Sequence, residues 1–354
     1  MYKKDLISWY KRSNTYKTLI FLIVLLLLPI LFCVSLSIGA ASIPIWDTVL
    51  ILCGYETEER YARIILNIRL PQSLAALLAG AGLSITGATM QSVLRNPLCS
   101  PFTLGISSAA AFGAALTILI AGGKIAAQDN MIINAGLSQS IITVGAFLIS
   151  TLTCMMILLL DRLNGSRMET IILLGVAFSS LFTAGLMFLQ YVADESRLAA
   201  IVYWTFGDAA RGTWNSISIL SMFIIPITIY FIFQSWNYNA LTFGEETAQS
   251  LGVRVKQVQL ITMILASFLT SILVSLLGII GFVGLVVPHL SRLIIGSNYR
   301  FLLPFSFVFG GFLLLSADIA ARVILAPRIL PVSILTAFIG APVFIILLLQ
   351  RREV

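Results

Sequence analysis

The stretch QVQLITMILASFLTSILVSLLGIIGFVGLVVPHLS (residues 257–291) runs for 35 residues without a Lys, Arg, Asp or Glu. A helix needs about 20 apolar residues to cross ~30 Å of hydrocarbon. The stretch is therefore too long for one crossing, and the glycines of GIIGFVG (Gly278–Gly284) divide it into two. Eight further charge-free windows lie at 18–46, 70–94, 96–123, 130–160, 170–193, 212–244, 301–317 and 329–350. All reach crossing length except 301–317, which at 17 residues sits at the lower limit. The expectation is an all-α polytopic membrane protein of about ten transmembrane helices, one domain over residues 1–354. An even number of spans puts both termini on the same side.

Charge fixes which side. Hydrophobic residues make up 59% of the chain and charged ones 10%, where soluble proteins carry roughly 25%. The net charge of +7 would suit a nucleic acid, but its distribution points to the membrane instead. With the N-terminus in the cytoplasm, fourteen of the 22 Lys and Arg fall inside, among them Lys3, Lys4, Lys11, Arg12 and Lys17. Nine of the 15 Asp and Glu fall outside. This is the positive-inside bias, carried by short loops where it is most informative. The N- and C-termini are expected to be cytoplasmic, with the bilayer and not nucleic acid as the medium. The first apolar run, Thr18 to about Ile38, is longer than a signal-peptide core and is expected to be a retained span.

The polar inventory excludes several chemistries. Cys33, Cys53, Cys99 and Cys154 fall on different elements and suggest neither a disulfide nor a metal set. His289 is the single histidine, and one histidine cannot build a zinc or iron site. GGK (Gly122–Lys124) lacks the flanking residues of a phosphate-binding loop. If ATP is used, with its Mg, another chain binds it. No charge falls within the windows, whereas an ion-coupled transporter needs carboxylates at mid-span. The nearest ionisable residues are Asp318 and Arg322, four apart on one helix face and close to the outer interface, able to pair or to present Arg322 outward.

Two local patterns stand out. In ALLAGAGLSITGA, Ala76, Gly80, Ser84 and Ala88 form one small-residue face, which lets a neighbouring helix approach closely. Ser333, Ala337 and Ala341 repeat the pattern in the last span. Either stripe serves packing within one subunit or contact between subunits. In the polar gap 235–257, GEETAQSLGV (Gly244–Val253) reads as a short acidic-and-glycine segment on the cytoplasmic side, a surface for another protein to push on. Were it helical, Glu245 and Glu246 at its start would also suit its N-terminal dipole.

Several segments together resemble the permease subunits of ATP-driven importers for iron–siderophore complexes, haem and cobalamin. They are residues 69–108 (beginning RLPQ and including RNPL), ETIILLGVAFSSLF (169–182), LTFGEETAQSLGV (241–253), GIIGFVGLVVPHLSRL (278–293) and residues 317–349 (beginning ADIAARVILAPRILP). The resemblance implies a homodimer with the path on its two-fold axis, two cytoplasmic ATPase subunits, an extracytoplasmic binding protein, and a prokaryotic plasma membrane. It implies an ATPase-coupling segment at Gly244, Glu245, Glu246, Ser250, Leu251 and Gly252. It places a cytoplasmic gate at Gly165, Ser166, Met168, Glu169 and Thr170. It also implies docking of the binding protein through arginines, here Arg69, Arg322 and Arg328. The family's usual RLPR is RLPQ in this chain, so Gln72 replaces the second arginine, and Ile329 stands where a glutamate is common. RNPL favours a siderophore as cargo over cobalamin; haem or cobalamin is the alternative, and an ion-coupled transporter the more distant one. No residue set for chemistry on the cargo is present, so the chain is not expected to be an enzyme.

Overall fold

The computed structural model describes residues 2–39, 42–55, 58–125, 131–163 and 168–350. They form helices α1 (Tyr2–Ser37), α2 (Ile45–Leu52) and α3 (Glu59–Ile64), the last running through a π-turn at Ile65–Arg69 into α4 (Leu70–Val93). Next come α5 (Ile106–Ile125), α6 (Met131–Leu163), α7 (Met168–Val192) and α8 (Glu195–Thr205). A 3-10 turn at Ala209–Arg211 leads to α9 (Trp214–Phe233), α10 (Ser235–Thr242) and α11 (Glu245–Ser250). The chain closes with α12 (Val255–Leu277), α13 (Val283–Ile295), α14 (Tyr299–Ile324) and α15 (Val332–Gln350). Seven of the described helical stretches are long and apolar enough to cross a membrane. Three shorter apolar helices, Ile106–Ile120, Val283–Ile295 and Val332–Ile346, occupy the places of the other expected spans.

The opening stretch does divide in two, but unequally. α12 ends where Gly278 turns to φ +80, and α13 starts after Phe282 at φ +65. At 1.5 Å per residue the 13 residues of α13 extend about 20 Å, short of the hydrocarbon thickness. The unwound residues between them pack on the segment after α8. The Asp208 amide donates to the Leu277 carbonyl at 2.8 Å, and a Cβ on Gly207 would overlap the Ile279 carbonyl. The non-helical backbone is thus held by protein rather than exposed to lipid, as a membrane interior requires.

α4 is the hub. Twenty of its residues are buried, and it packs on α9, α12, α13 and α14. The small-residue stripe explains how. A Cβ on Gly80 would overlap the Gly310 carbonyl of α14, and one on Gly87 would overlap the Gly284 carbonyl of α13. Close backbone approach of this kind is the main source of helix association in lipid. The Gly80 stripe is therefore used within the chain. α7 is the counterpoint: it packs mainly on α5 and α6 and leaves Leu173, Leu181, Met187, Phe188 and Tyr191 exposed.

One expectation needs correction. The window 301–317 predicts a 17-residue span, but α14 continues for 26 residues, through Asp318 and Arg322 to Ile324. Both ionic side chains are buried, at 2% and 3% exposure. The helix carries them because they neutralise each other one turn apart and find further polar partners from α1 and α4. The arginine of RLPQ is likewise inside a continuous helical stretch, Glu59–Val93.

Candidate functional site

The chain concentrates its polar chemistry at the two ends of α4. At the end expected to face the cytoplasm, α11 is a six-residue helix set between two glycines with positive φ, Gly244 (+110) and Gly252 (+84). That backbone region suits glycine and strains other residues. Ala248 is buried and anchors the helix, whereas Phe243 and Leu251 project at 74% and 67% exposure. The two glutamates diverge. Glu246 is exposed. Glu245 Oε1 accepts from Gln259 Nε2 at 3.1 Å, and the same nitrogen lies 3.3 Å from the Val93 carbonyl at the end of α4. Arg95 Nη2 stands 3.8 Å from Glu245, on a backbone turned to φ +42. Glu245 therefore ties α11 to α4 and α12. Ser250 donates to the Thr247 carbonyl at 2.8 Å and closes the short helix.

Beside this tie lies a cavity of about 290 Å³ lined by Val93, Asp161, Ile171, Gln259 and Met263. It joins the ends of α4 and α6 to the starts of α7 and α12. Of the residues expected at the gate, Met168 opens α7, Glu169 is exposed and Thr170 half-buried. Gly165 and Ser166 lie outside the described residues.

At the opposite end, Gln72, Asp318, Arg322, Ser35 and Arg69 form a buried polar knot. Asp318 accepts from Gln72 Nε2 at 2.9 Å through one oxygen and from Arg322 Nη2 at 2.6 Å through the other. Arg322 also donates to Ser35 Oγ at 2.5 Å and to the carbonyls of Ser35 at 2.9 Å and Ile38 at 3.2 Å. Arg69 Nη1 donates to the carbonyls of Leu36 at 2.7 Å and Ser37 at 2.9 Å. Arg69 and Arg322 are each only 5% exposed. Of the three arginines expected at a docking surface, Arg328 alone is exposed, in a loop where Leu325 and Ile329 are exposed too. The sequence reading missed Gln72 and Gln259 as organising residues. The departure from RLPR was the available signal for the first; Gln259 left none.

Near the knot, Asp208 follows α8 outside the spans. Burial pushes its carboxyl upward, offset in part by the Ala210 amide and the charges of Arg211 and Arg322. Among the described residues no group of His, Cys, Asp and Glu is arranged to hold a metal ion.

The described residues thus form a helical bundle with an exposed short helix at one end and a buried, internally satisfied group of charges, Arg69, Asp318 and Arg322, at the other. Residues 26–350 match the FecCD transport family, and the chain belongs to it. The chain is 49% identical over 341 residues, 96% of its length and 97% of the relative's, to "Putative ABC transporter permease protein MJ0087" of Methanocaldococcus jannaschii. It is 36% identical to "Hemin transport system permease protein HmuU" of Yersinia pestis, over 93% of this chain and 95% of that one. A solved structure titled "An inward-facing conformation of a putative metal-chelate type ABC transporter" superposes with a TM-score of 0.81 at 31% identity, covering 94% of this chain and 99% of that chain.

Proposed function

We propose that this chain is the transmembrane subunit, present in two copies, of an ATP-driven importer that carries a metal chelate, an iron–siderophore complex, across a prokaryotic plasma membrane. The observation that carries the reading is the construction of α11: exposed at Phe243, Glu246 and Leu251, yet tied through Glu245 to α4 and α12. A cytoplasmic ATPase subunit, which binds ATP and Mg, seats the segment Gly244–Gly252 and moves it when it closes. The cavity beside Gln259 gives that motion a route to the gate, residues 165–170, because its far wall is Ile171 of α7. The uncovered apolar face of α7 meets the second copy along the path. An extracytoplasmic binding protein delivers the cargo to the other end. No chemistry is done on the cargo, and hydrolysis belongs to the partner.

Proteoliposomes holding the chain, its ATPase and its binding protein test this directly. Uptake of labelled ferric siderophore that needs both internal ATP and the binding protein is the expected result. Haem or cobalamin taken up in its place changes the cargo and keeps the machine. Uptake driven by an ion gradient without ATP overturns the reading.

A further inference from the structure

The cavity of about 290 Å³ beside Gln259 runs into a second one of about 280 Å³. The two share Leu158, Arg162 and Leu260, and together they form a groove between α6 and α12. The second cavity reaches down to Thr151 on α6 and to Phe268 on α12. Its wall is apolar, with Met155, Leu159 and Ile264 exposed and Phe268 half-buried. At ~1.5 Å per residue, the eleven positions from Thr151 to Arg162 cover about 16 Å and the twelve from Lys256 to Phe268 about 18 Å. Half of a ~30 Å hydrocarbon core is ~15 Å. The groove is one leaflet deep.

Its mouth is basic. Arg162 lies in the last turn of α6 and Lys256 in the first turn of α12; both are exposed and both line the first cavity. Neither takes part in a salt bridge among the described residues. Asp161, the carboxylate that also lines this cavity, is 7% exposed and already engaged within the chain. One interfacial cation serves only to orient a span. Two cations from different helices, set over one apolar channel, match a molecule with a negative head and a hydrocarbon tail.

We propose that the groove holds an anionic phospholipid of the cytoplasmic leaflet, its phosphate between Arg162 and Lys256 and an acyl chain along Met155, Leu159, Ile264 and Phe268. The site depends on the chain lying in a membrane, not on its being an importer. Basic clusters at the cytoplasmic ends of spans attract anionic headgroups, and a zwitterionic lipid brings the two cations no net charge. A soluble partner reaches the mouth but not Ile264 and Phe268, eight and twelve residues deeper on α12. The lipid bridges α6 and α12 next to Gln259, whose amide meets Glu245 and the end of α4.

Native mass spectrometry of the full chain, released from nanodiscs of equal parts phosphatidylglycerol and phosphatidylcholine, tests the site. Wild type is expected to retain phosphatidylglycerol preferentially. R162Q/K256Q should weaken retention at least tenfold, the scale of two interfacial cations. R162K/K256R keeps both charges and should keep the lipid, whereas I264W fills the groove below an intact mouth and should expel it. Phosphatidylglycerol with a photoreactive group at mid-chain is expected to label residues 151–160 and 260–268. Equal retention of the two lipids by wild type, retention unchanged in R162Q/K256Q or I264W, or label confined to other helices overturns the proposal. Displacement by inorganic phosphate alone would make this a free-anion site and overturns it as well. So does loss of ATPase assembly in R162Q/K256Q with lipid retention intact, which marks the two cations as a protein contact.

Discussion

The two ends of α4 handle charge in opposite ways. At the outer end Arg69, Gln72, Asp318 and Arg322 are at most 5% exposed and saturated by partners within the chain. At the other end Arg95 and Glu245 keep about 40% exposure and stand 3.8 Å apart. The Coulomb energy of a unit pair rises several-fold from water to a protein-like medium, so the buried pair is costly to separate and the exposed one cheap. In the proposed importer α11 shifts against α4, which calls for the second kind of contact there and the first kind where helix ends stay together. The comparison predicts which substitutions harm the fold and which harm only transport.

The largest effect is expected at the knot. Arg322→Ala leaves Asp318 buried with only Gln72 as partner and uncaps Ser35 and Ile38. Breaking a buried pair on one side costs about 3–5 kcal/mol, and the apparent Tm in detergent should fall accordingly. The double variant Asp318→Leu with Arg322→Met removes both charges and should recover part of the loss, since apolar replacement of a buried pair is often tolerated. Recovery should be incomplete, because the α1 carbonyls remain unmet. A single variant as stable as wild type would erase the distinction between the two ends.

At the cytoplasmic end the effects should fall on transport and divide between the two glutamates. Glu246→Lys is expected to lower ATP-dependent uptake at least tenfold while leaving thermal stability within about 0.5 kcal/mol, as for an exposed position without partners. Glu245→Lys should lower uptake too, and also cost about 0.2–1 kcal/mol of stability, the scale of a half-exposed ion pair. Basal ATP hydrolysis by the assembled complex, measured beside uptake, separates a loosened coupling from a lost complex. Equal stability losses for both would mean that Glu245 does not tie α11 to α4.

What could be read from the sequence follows from the range of the forces. The membrane-spanning helical class and the Gly80 small-residue stripe were legible because membrane thickness and close approach act on contiguous or four-spaced residues. The segment at 245–250 was legible as a short acidic stretch between glycines, and its helical form came from the family resemblance. The knot was not, since Gln72 meets Asp318 across 246 positions and no local pattern encodes that pairing. A charge-free window also treats any ion as the end of a span. That rule fails at α14, where Asp318 and Arg322 satisfy each other and the helix continues. The same blindness made Glu245 and Glu246 look alike, because Gln259 and Arg95 arrive from other elements.

The smallest expected effect concerns charge at the outer end that is not buried. Asp194 caps α8, accepting from the Arg197 amide at 2.9 Å and from Ser196 Oγ at 2.8 Å. Those bonds, the Arg197 amide first, hold its carboxyl below the usual carboxylate value. A carboxyl depressed in the folded state stabilises it above the unfolded value near 3.8 and loses that contribution as pH falls through the folded one. Acidification from pH 5 to 3 should therefore loosen the first turn of α8. Exchange of the Arg197 amide reads the loosening, after correction for the intrinsic pH dependence of exchange. Asp194→Asn keeps an acceptor but does not titrate, so the pH response of that amide should vanish in the variant. A response that persists in Asp194→Asn would place the acid-sensitive group elsewhere, with the half-buried Asp208 the first to examine.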